Sequence, residues 1–290
     1  MNGKVCLITG AASGLGAIAS REIAKLGAHL ILVDVEIDEG KRTKDKIVSL
    51  TKNQNIEFLG CDISSFAQVR RLANDINTRY KQLNVLINNA GLTQPLYTLS
   101  EDGFETHMAT CHLGHFLLTQ LLLDKLKESA PSRIIQISSD AHKAGPGLDW
   151  EDMNCKEVWK ERKISNRGAA IAYQRSKLAM VLYTYELAKR LEGTHVTVNA
   201  VSPGYFIRTN VYRHMRGLFK IGVWFARPFL ADPEKSAQTY VYLASSQEIN
   251  GISGKYWEYC KMKDSSQHSH DEYEMKRLWE WSKKMTGLEF

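Results

Sequence analysis

Proline, paired cysteine and long apolar runs are all scarce in this sequence, and each shortage excludes a class of protein. There are only six prolines and no glycine- or serine-rich stretch, which argues against separate modules joined by linkers. The five cysteines are odd in number and include no Cys-x-x-Cys pair: Cys6, Cys61, Cys111, Cys155 and Cys260. This pattern favours reduced thiols in an intracellular protein over a disulfide framework.

No segment has the roughly 18 uncharged apolar residues of a membrane helix. The polar start Met1–Lys4 does not resemble a signal peptide. We therefore expect a cytoplasmic protein, either free or associated with the cytosolic face of a membrane. A chain that had lost an N-terminal anchor would show the same features, and the oligomeric state is left open.

Charge is also nearly balanced, with 38 basic and 32 acidic residues and a net charge of +6. Both signs are spread along the chain, and no basic run is interleaved with aromatic residues. Nucleic acid is therefore not an expected partner. The apolar fraction of 43% over 290 residues is enough for a full-sized core and excludes disorder as the dominant state.

Short apolar runs alternate with helical patterns along the chain. The runs are Val5–Ile8, His29–Val33, Ile56–Leu59, Val85–Ile87, Arg133–Ile137 and Val196–Ala200. Strands that are apolar on both faces and separated by helix-length segments predict a doubly wound parallel α/β sheet of Rossmann type. We interpret residues 1–290 as one domain: a core and catalytic part over 1–204, a substrate segment over 205–232, and a last helix, strand and C-terminal extension over 233–290.

A glycine-rich loop follows the first predicted strand and opens a helix. Gly10, Gly14 and Gly16 permit a tight turn and close approach to a pyrophosphate, with Ser13 and Leu15 between them. The helix N-terminus then faces the phosphates. Such a loop alone could be a flexible turn, but an acidic residue, Asp34, ends the second strand, as a dinucleotide site requires.

Asp34 also bears on which dinucleotide binds. A carboxylate can accept hydrogen bonds from the adenosine ribose and repels a 2′-phosphate. No basic residue occupies positions 33–36, and Ser13 is not basic. NAD is therefore favoured over NADP, the alternative being that Asp34 is only a turn residue.

The chemistry is expected at Tyr173 and Lys177, which share one face of a helix at i and i+4. An ammonium near a phenol favours the phenolate and lowers its pKa, so that Tyr173 can exchange a proton with an alcohol or carbonyl oxygen. The same spacing occurs at Tyr185/Lys189, on another face of the helix, and at Tyr259/Lys263, in a polar surface segment. Ser138-Ser139 ends the fifth strand, where one hydroxyl could meet the reacting oxygen.

Five ordered motifs together resemble the short-chain dehydrogenases/reductases: Thr9–Gly16, Asn88–Gly91, Ser139, Tyr173–Lys177 and Pro203-Gly204. Further segments resemble the retinol-dehydrogenase-like branch, and the resemblance covers essentially the whole chain. These segments are His112–Phe116, Glu128–Pro131, Ser176–Leu178 and Ser253–Tyr256. The resemblance implies Tyr173 as general acid/base, Lys177 as its partner and ribose ligand, and Ser139 as the residue that polarises the substrate. It further implies cofactor contacts at Asp62, Ile63, Asn89, Ala90, Gly91, Pro203, Gly204, Ile207 and Thr209.

One position departs from the family. Where the family has an asparagine that supports a proton-relaying water, this chain has Cys111. A thiol is a poor donor and acceptor beside an amide. Two hypotheses follow: an NAD-dependent oxidoreductase of a lipophilic alcohol or carbonyl, and a dinucleotide-binding protein with little turnover that acts through protein partners.

Three further patterns in the sequence each have a simpler explanation as well. Segment 211–230 is amphipathic and basic, typical of a lid over an apolar substrate or of contact with an anionic membrane, but also of an ordinary packed helix. Cys111, His112 and His115 imitate a metal site, yet the resemblance places them on a helix beside the cofactor, so no metal is expected. His268 and His270 are expected to contact only solvent.

Overall fold

The apolar runs form strands because side chains that are apolar on both faces are buried only in a sheet covered on both sides. The computed structural model describes residues 1–160, 166–204 and 232–288. Its strands are β1 (Val5–Thr9), β2 (His29–Asp34), β3 (Ile56–Gly60), β4 (Val85–Asn88), β5 (Ser132–Ile137), β6 (Val196–Ser202), β7 (Lys255–Glu258) and β8 (Lys261–Lys263). The first six extend the predicted runs by one or two residues.

The strands form one sheet in the order β3-β2-β1-β4-β5-β6-β7-β8. All neighbours are parallel except β7 and β8, which are antiparallel. The strand order reverses between β1 and β4, and a ligand site is expected at the carboxyl ends of these strands. The predicted doubly wound α/β fold is confirmed.

Helices cover both faces of the sheet. They are α1 (Gly14–Lys25), α2 (Ile37–Thr51), α3 (Phe66–Arg79), α4 (Thr106–Met108), α5 (Gly114–Leu121), α6 (Leu123–Glu128), α7 (Lys156–Trp159), α8 (Asn166–Arg190), α9 (Pro233–Ser245) and α10 (Glu272–Thr286). One apolar cluster joins α1, α2 and α9 to the sheet, and the other joins α3, α5, α8 and α10. None of these described helices combines the length and apolar character needed to cross a membrane.

The chain beyond residue 232 forms α9, β7, β8 and α10, and its two strands complete the sheet. Strand β7 pairs with β6, and a two-residue turn, Tyr259-Cys260, leads into β8. Both turn residues have positive φ, 47° and 59°. Lys261 and Lys263 are exposed on the edge strand, where charge discourages pairing with another sheet. The predicted substrate segment, including Ile207 and Thr209, lies outside the described residues but for its last residue.

Candidate active site

A cavity of about 630 Å³ opens at the carboxyl edge of the sheet. Its wall contains every predicted cofactor residue that the structure describes, together with Ser139. These are Gly10, Ser13, Gly14, Leu15, Gly16, Asp34, Asp62, Ile63, Asn89, Ala90, Gly91, Tyr173, Lys177, Pro203 and Gly204. The topology therefore brings together motifs that are up to 194 positions apart, from Gly10 to Gly204.

The glycine loop has the geometry that its sequence predicts. Gly10 and Gly14 have φ values of +66° and +59°, in the left-handed region that favours glycine. A Cβ on Gly16 would lie 2.2 Å from the carbonyl oxygen of Gly10, so only glycine allows α1 to start this close to β1. The loop and the N-terminus of α1 thus form a cradle in the middle of the cavity, where helix N–H groups favour a phosphate.

Acidic and polar groups occupy one end of the cavity. Asp34 accepts a hydrogen bond from the Ala12 N–H at 2.8 Å and one from the Glu36 N–H at 3.1 Å. The Asp62 carboxylate accepts from both the N–H and the hydroxyl of Ser64 at 2.8 Å. The neighbouring wall also contains residues that the motif comparison missed, Val35, Glu36, Cys61 and Ser64.

The hydroxyl of Thr9, at the end of β1, connects this strand to the loop after β4, at the point where the strand order reverses. It accepts hydrogen bonds from the backbone N–H groups of Asn89 and Ala90, both at 2.9 Å. The Asn89 side-chain amide donates to the carbonyl oxygens of Thr9 and Gly10 at 2.7 and 3.1 Å. Asn89 therefore has a structural task in holding the glycine loop, in addition to lining the cavity.

The two serines at the end of β5 have different tasks. Ser138 is buried and its hydroxyl donates to the carbonyl oxygen of Lys177 at 2.9 Å, which fixes α8 against the sheet. Ser139 hydrogen-bonds the Tyr173 phenol and accepts from the Ala141 N–H at 3.2 Å. Both serines line the cavity, but only the Ser139 hydroxyl interacts with the Tyr173 phenol.

Tyr173 and Lys177 both lie in the cavity wall, with the Lys177 Nζ 5.6 Å from the centre of the Tyr173 ring. The ammonium donates to the carbonyl oxygen of Ile137 at 2.8 Å. Burial raises the pKa of Tyr173, the nearby Cys111 thiol raises it further, and the hydrogen bond with Ser139 lowers it. The lowering of this pKa by the Lys177 ammonium, expected from the sequence, stays a prediction.

Cys111 lies at the centre of a π-helical turn, Ala109–Leu113, between α4 and α5. Such turns often mark functional sites, and this one is formed with a thiol at its centre. The side chain is buried, and a Cβ built on Gly91 would lie 3.6 Å from Cys111 Sγ and 3.5 Å from Lys177 Nζ. The thiol therefore occupies space next to the lysine, as the resemblance implies for the family's asparagine.

Two buried histidines, His112 within this turn and His115 in α5 directly after it, hold the turn in place. Burial lowers the pKa of both His112 and His115 to about 3. The neutral His115 donates from Nδ1 to the Cys111 carbonyl at 3.2 Å and accepts at Nε2 from the Thr9 hydroxyl at 2.9 Å. His112 Nε2 lies 2.7 Å from the Ser282 hydroxyl. Over the described ranges no cluster of side chains has the composition of a metal site.

The other Tyr-x-x-x-Lys pairs lie away from the reacting groups. The Tyr185 hydroxyl lies 2.7 Å from the Ser265 hydroxyl, and its ring stacks on His270 with 5.3 Å between centroids. The expectation that His270 contacts only solvent is therefore wrong. Tyr259 is 45% exposed, but a Cβ on Gly204 would lie 2.3 Å from its hydroxyl, so this turn supports the loop that enters the cavity.

Several cavity residues carry no motif and were missed at the sequence level. Thr106 and Thr110, spaced i and i+4 around the π turn, line the wall with Thr93. Tyr240 of α9 also lines the wall. The i, i+4 spacing of the two threonines could have indicated that both lie on one face of the helix. Nothing in the sequence around Tyr240 distinguishes it from a core residue.

The fold, the glycine cradle and the Ser-Tyr-Lys group define a dinucleotide-binding protein of the doubly wound α/β class. A family model described as short chain dehydrogenase matches residues 4–148. Human retinol dehydrogenase 14 is 38% identical over 99% of this chain and 88% of its own, and human retinol dehydrogenase 13 is 40% identical over 99% and 86%.

Solved structures agree with this assignment. An uncharacterized protein from Mycobacterium paratuberculosis superposes with a TM-score of 0.76 at 30% identity, covering 100% of this chain and 95% of its own. The Pseudomonas aeruginosa RhlG/NADP complex has a TM-score of 0.69 at 25% identity, covering 88% and 94%. The chain belongs to the short-chain dehydrogenase family and, within it, to the retinol-dehydrogenase-like branch. It is an oxidoreductase of a family that uses nicotinamide dinucleotides.

The buried histidines predict a pH dependence of stability. Below about pH 6.5 the unfolded chain binds protons at these imidazoles, whereas the folded chain does so only near pH 3. Stability should therefore fall as the pH falls through this window, by about 1.4 kcal/mol per pH unit for each histidine. Urea unfolding at several pH values measures the slope.

His112→Gln should lower stability near neutral pH, because it disturbs the contact with Ser282. It should also make the change of unfolding free energy with pH less steep, by the contribution of about one proton. The exposed His268 provides the control: His268→Gln should leave the slope of the parent. If the stability of His112→Gln changed with pH as steeply as that of the parent, the low pKa assigned to His112 would be contradicted.

Proposed function

We propose that the protein is an NAD-dependent oxidoreductase that moves a hydride between nicotinamide and the carbinol or carbonyl carbon of a lipophilic alcohol, aldehyde or ketone. The observation that carries this proposal is the convergence of Ser139, Tyr173 and Lys177 at one end of a cavity whose other end contains Asp34. The two ends are separated by the glycine cradle, as one extended dinucleotide requires.

The hydroxyls of Ser139 and Tyr173 supply the proton chemistry in this proposal. A bound nicotinamide dinucleotide would supply or accept the hydride at the substrate carbon. Tyr173 then donates a proton to the carbonyl oxygen in reduction, or accepts it from the alcohol in oxidation, while Ser139 orients that oxygen. Burial raises the pKa of the Tyr173 phenol, so the phenol carries the proton that reduction would use.

Oxidation requires that Tyr173 first lose its proton. Lys177 is the one cationic side chain among the described residues of the cavity wall, so it is the group that can stabilise the phenolate. Its ammonium donates a hydrogen bond to the Ile137 carbonyl oxygen. To stabilise the phenolate and contact a cofactor ribose, the ammonium would have to exchange this partner for them. Lys177 is therefore assigned both the pKa-lowering role and a ribose contact.

The substrate class is argued from the cavity and from the relatives. The wall beside the reacting hydroxyls contains Leu92, Ala141 and Pro203, which suit an apolar chain or ring. The curated relatives at 38–40% identity are named retinol dehydrogenases. Retinol-, steroid- and polyprenol-like alcohols and their carbonyl forms are the proposed substrates, with segment 205–232 proposed to close over them.

NAD is proposed as the cofactor because of the charge at the adenosine end. The Asp34 and Glu36 carboxylates both line the cavity there, and the residue between them is Val35. A 2′-phosphate would meet a negative charge and no basic side chain among these three residues. The RhlG complex contains NADP, so this fold accommodates either cofactor and the local charge has to make the choice.

NADH should bind at least about tenfold more tightly than NADPH, as measured by calorimetry, because Asp34 repels the 2′-phosphate. Asp34→Asn should narrow this ratio, since the amide oxygen can still accept from the Ala12 N–H while the charge is gone. Asp38→Asn, the same charge change at an exposed position of α2, is the control and should preserve the ratio. Equal affinities of the parent for both cofactors would overturn the preference.

Tyr173→Phe tests the proposed reaction directly. Turnover of the best hydrophobic aldehyde should fall by roughly 10²- to 10⁴-fold, because the proton-transferring group is lost, while NADH affinity changes little. Tyr185→Phe is the matched control, since it removes a tyrosine hydroxyl from the same helix whose partner is Ser265. Activity of Tyr173→Phe within a few-fold of the parent would remove Tyr173 from its role.

Cys111→Asn should raise the turnover number with little change in NADH affinity. The amide would restore a donor and acceptor near Lys177, and one proton-relay contact is worth roughly 1–3 kcal/mol, or about five- to 160-fold in rate. Cys111→Ala, which removes the thiol without supplying an amide, should not raise the rate.

Two other outcomes of the Cys111 comparison would have a different meaning. Equal rates for the parent and Cys111→Asn would show that backbone and solvent carry the relay without this side chain. NADH binding by both proteins with no turnover on a broad panel of lipophilic aldehydes and alcohols would instead favour a dinucleotide-binding protein that acts through partners.

A further inference from the structure

Tyr240 carries a fully buried hydroxyl that has no hydrogen-bond partner among the described residues. Burying such a group without a partner costs the loss of its hydration, so a native structure rarely leaves it unpaired without a reason. Other buried polar atoms are also unpaired, but only Tyr240 and Thr110 among them belong to the described wall of the cavity. A ligand in that cavity is thus a candidate partner for each of these two hydroxyls.

Tyr240 lies at the reacting end of the cavity. It belongs to α9, which packs against β5, β6 and β7, and Ser139 and Pro203 of the cavity wall follow β5 and β6. Burial and the nearby Tyr173 phenol both raise the pKa of Tyr240. One position before it, Thr239 accepts a hydrogen bond from the Cys260 N–H at 3.1 Å, which docks α9 on the turn whose tyrosine meets Gly204.

We propose that the Tyr240 hydroxyl is a cofactor contact, hydrogen-bonded to the nicotinamide half of the bound dinucleotide. The assignment rests on the proposed function, since it requires a dinucleotide in the cavity. A phenol can both donate and accept, which matches the carboxamide and the ribose hydroxyls of that half. The adenosine half lies at the opposite end, beside Asp34 and Asp62.

Tyr240→Phe removes the hydroxyl and keeps the ring. In the cofactor-free protein the melting temperature should stay the same or rise, because the substitution deletes a buried polar atom that has no partner. The dissociation constant for NADH should rise roughly three- to tenfold, the loss expected for one neutral hydrogen bond. The dissociation constant for ADP-ribose, which lacks the nicotinamide, should change less than about twofold.

Tyr183→Phe is the matched control. Tyr183 is also a buried tyrosine, but its hydroxyl accepts from Gln120 Nε2 at 2.9 Å and lies outside the cavity wall. The substitution should lower the melting temperature of the cofactor-free protein and leave both dissociation constants unchanged. The two variants therefore separate a hydroxyl that stabilises the fold from one that binds ligand.

Three results would overturn the assignment. An unchanged NADH dissociation constant in Tyr240→Phe shows that the hydroxyl does not contact the cofactor. Equal losses for NADH and ADP-ribose place the contact outside the nicotinamide half. A lower melting temperature without cofactor, together with unchanged affinities, gives the hydroxyl a structural partner. If the parent binds neither ligand, the proposed function fails as well, whereas in the first three cases it stands.

Discussion

The geometry of the site depends on the hydroxyl of Thr9, the last residue of β1. A hydroxyl has one proton and two lone pairs, and all are used here: two backbone N–H groups of the loop after β4 donate to it, and its proton is directed to His115. This one group therefore joins the glycine loop, the loop carrying Asn89 to Gly91, and the helix that contains the π turn. Such a junction works only if the imidazole stays neutral, which its burial ensures.

The hydrogen bond from His115 to the Cys111 carbonyl extends that junction to the π turn. The π turn brings Cys111 and Lys177 to the same side of Gly91 without any contribution from an asparagine amide. The backbone shape of this helix is thus set by the histidine and the packing around it. The thiol changes only the hydrogen-bonding capacity of the space near Lys177. The backbone geometry of the site therefore does not depend on the side chain at position 111, whereas its proton chemistry does.

The sequence predicts the part of the molecule in which local pattern and tertiary structure agree. Apolar runs such as His29–Val33 predicted buried strands, and the spacing of Gly10, Gly14 and Gly16 predicted the loop. It did not predict β8, because the three residues Lys261-Met262-Lys263 are too short a run to show a strand pattern and pair with β7 only because the preceding turn reverses the chain. The state of Tyr173 was also out of reach, since its pKa depends on how deeply the phenol is buried and on where Lys177 finds its acceptor. Tyr240 gave no signal at all, because an orphaned hydroxyl is defined by the neighbours that it lacks.

The Tyr259-Cys260 turn has a consequence for the order in which the molecule is made. Gly204 has a φ of +96° and no room for a side chain against the Tyr259 hydroxyl, so the loop entering the reacting end rests on residues that are synthesised more than fifty positions later. The adenosine end, in contrast, uses only residues from the first quarter of the chain. The carboxylates of the adenosine end are therefore synthesised well before the hairpin that supports the opposite end of the cavity. Closure of the sheet edge, a distant and nonlocal event, is what makes the site whole.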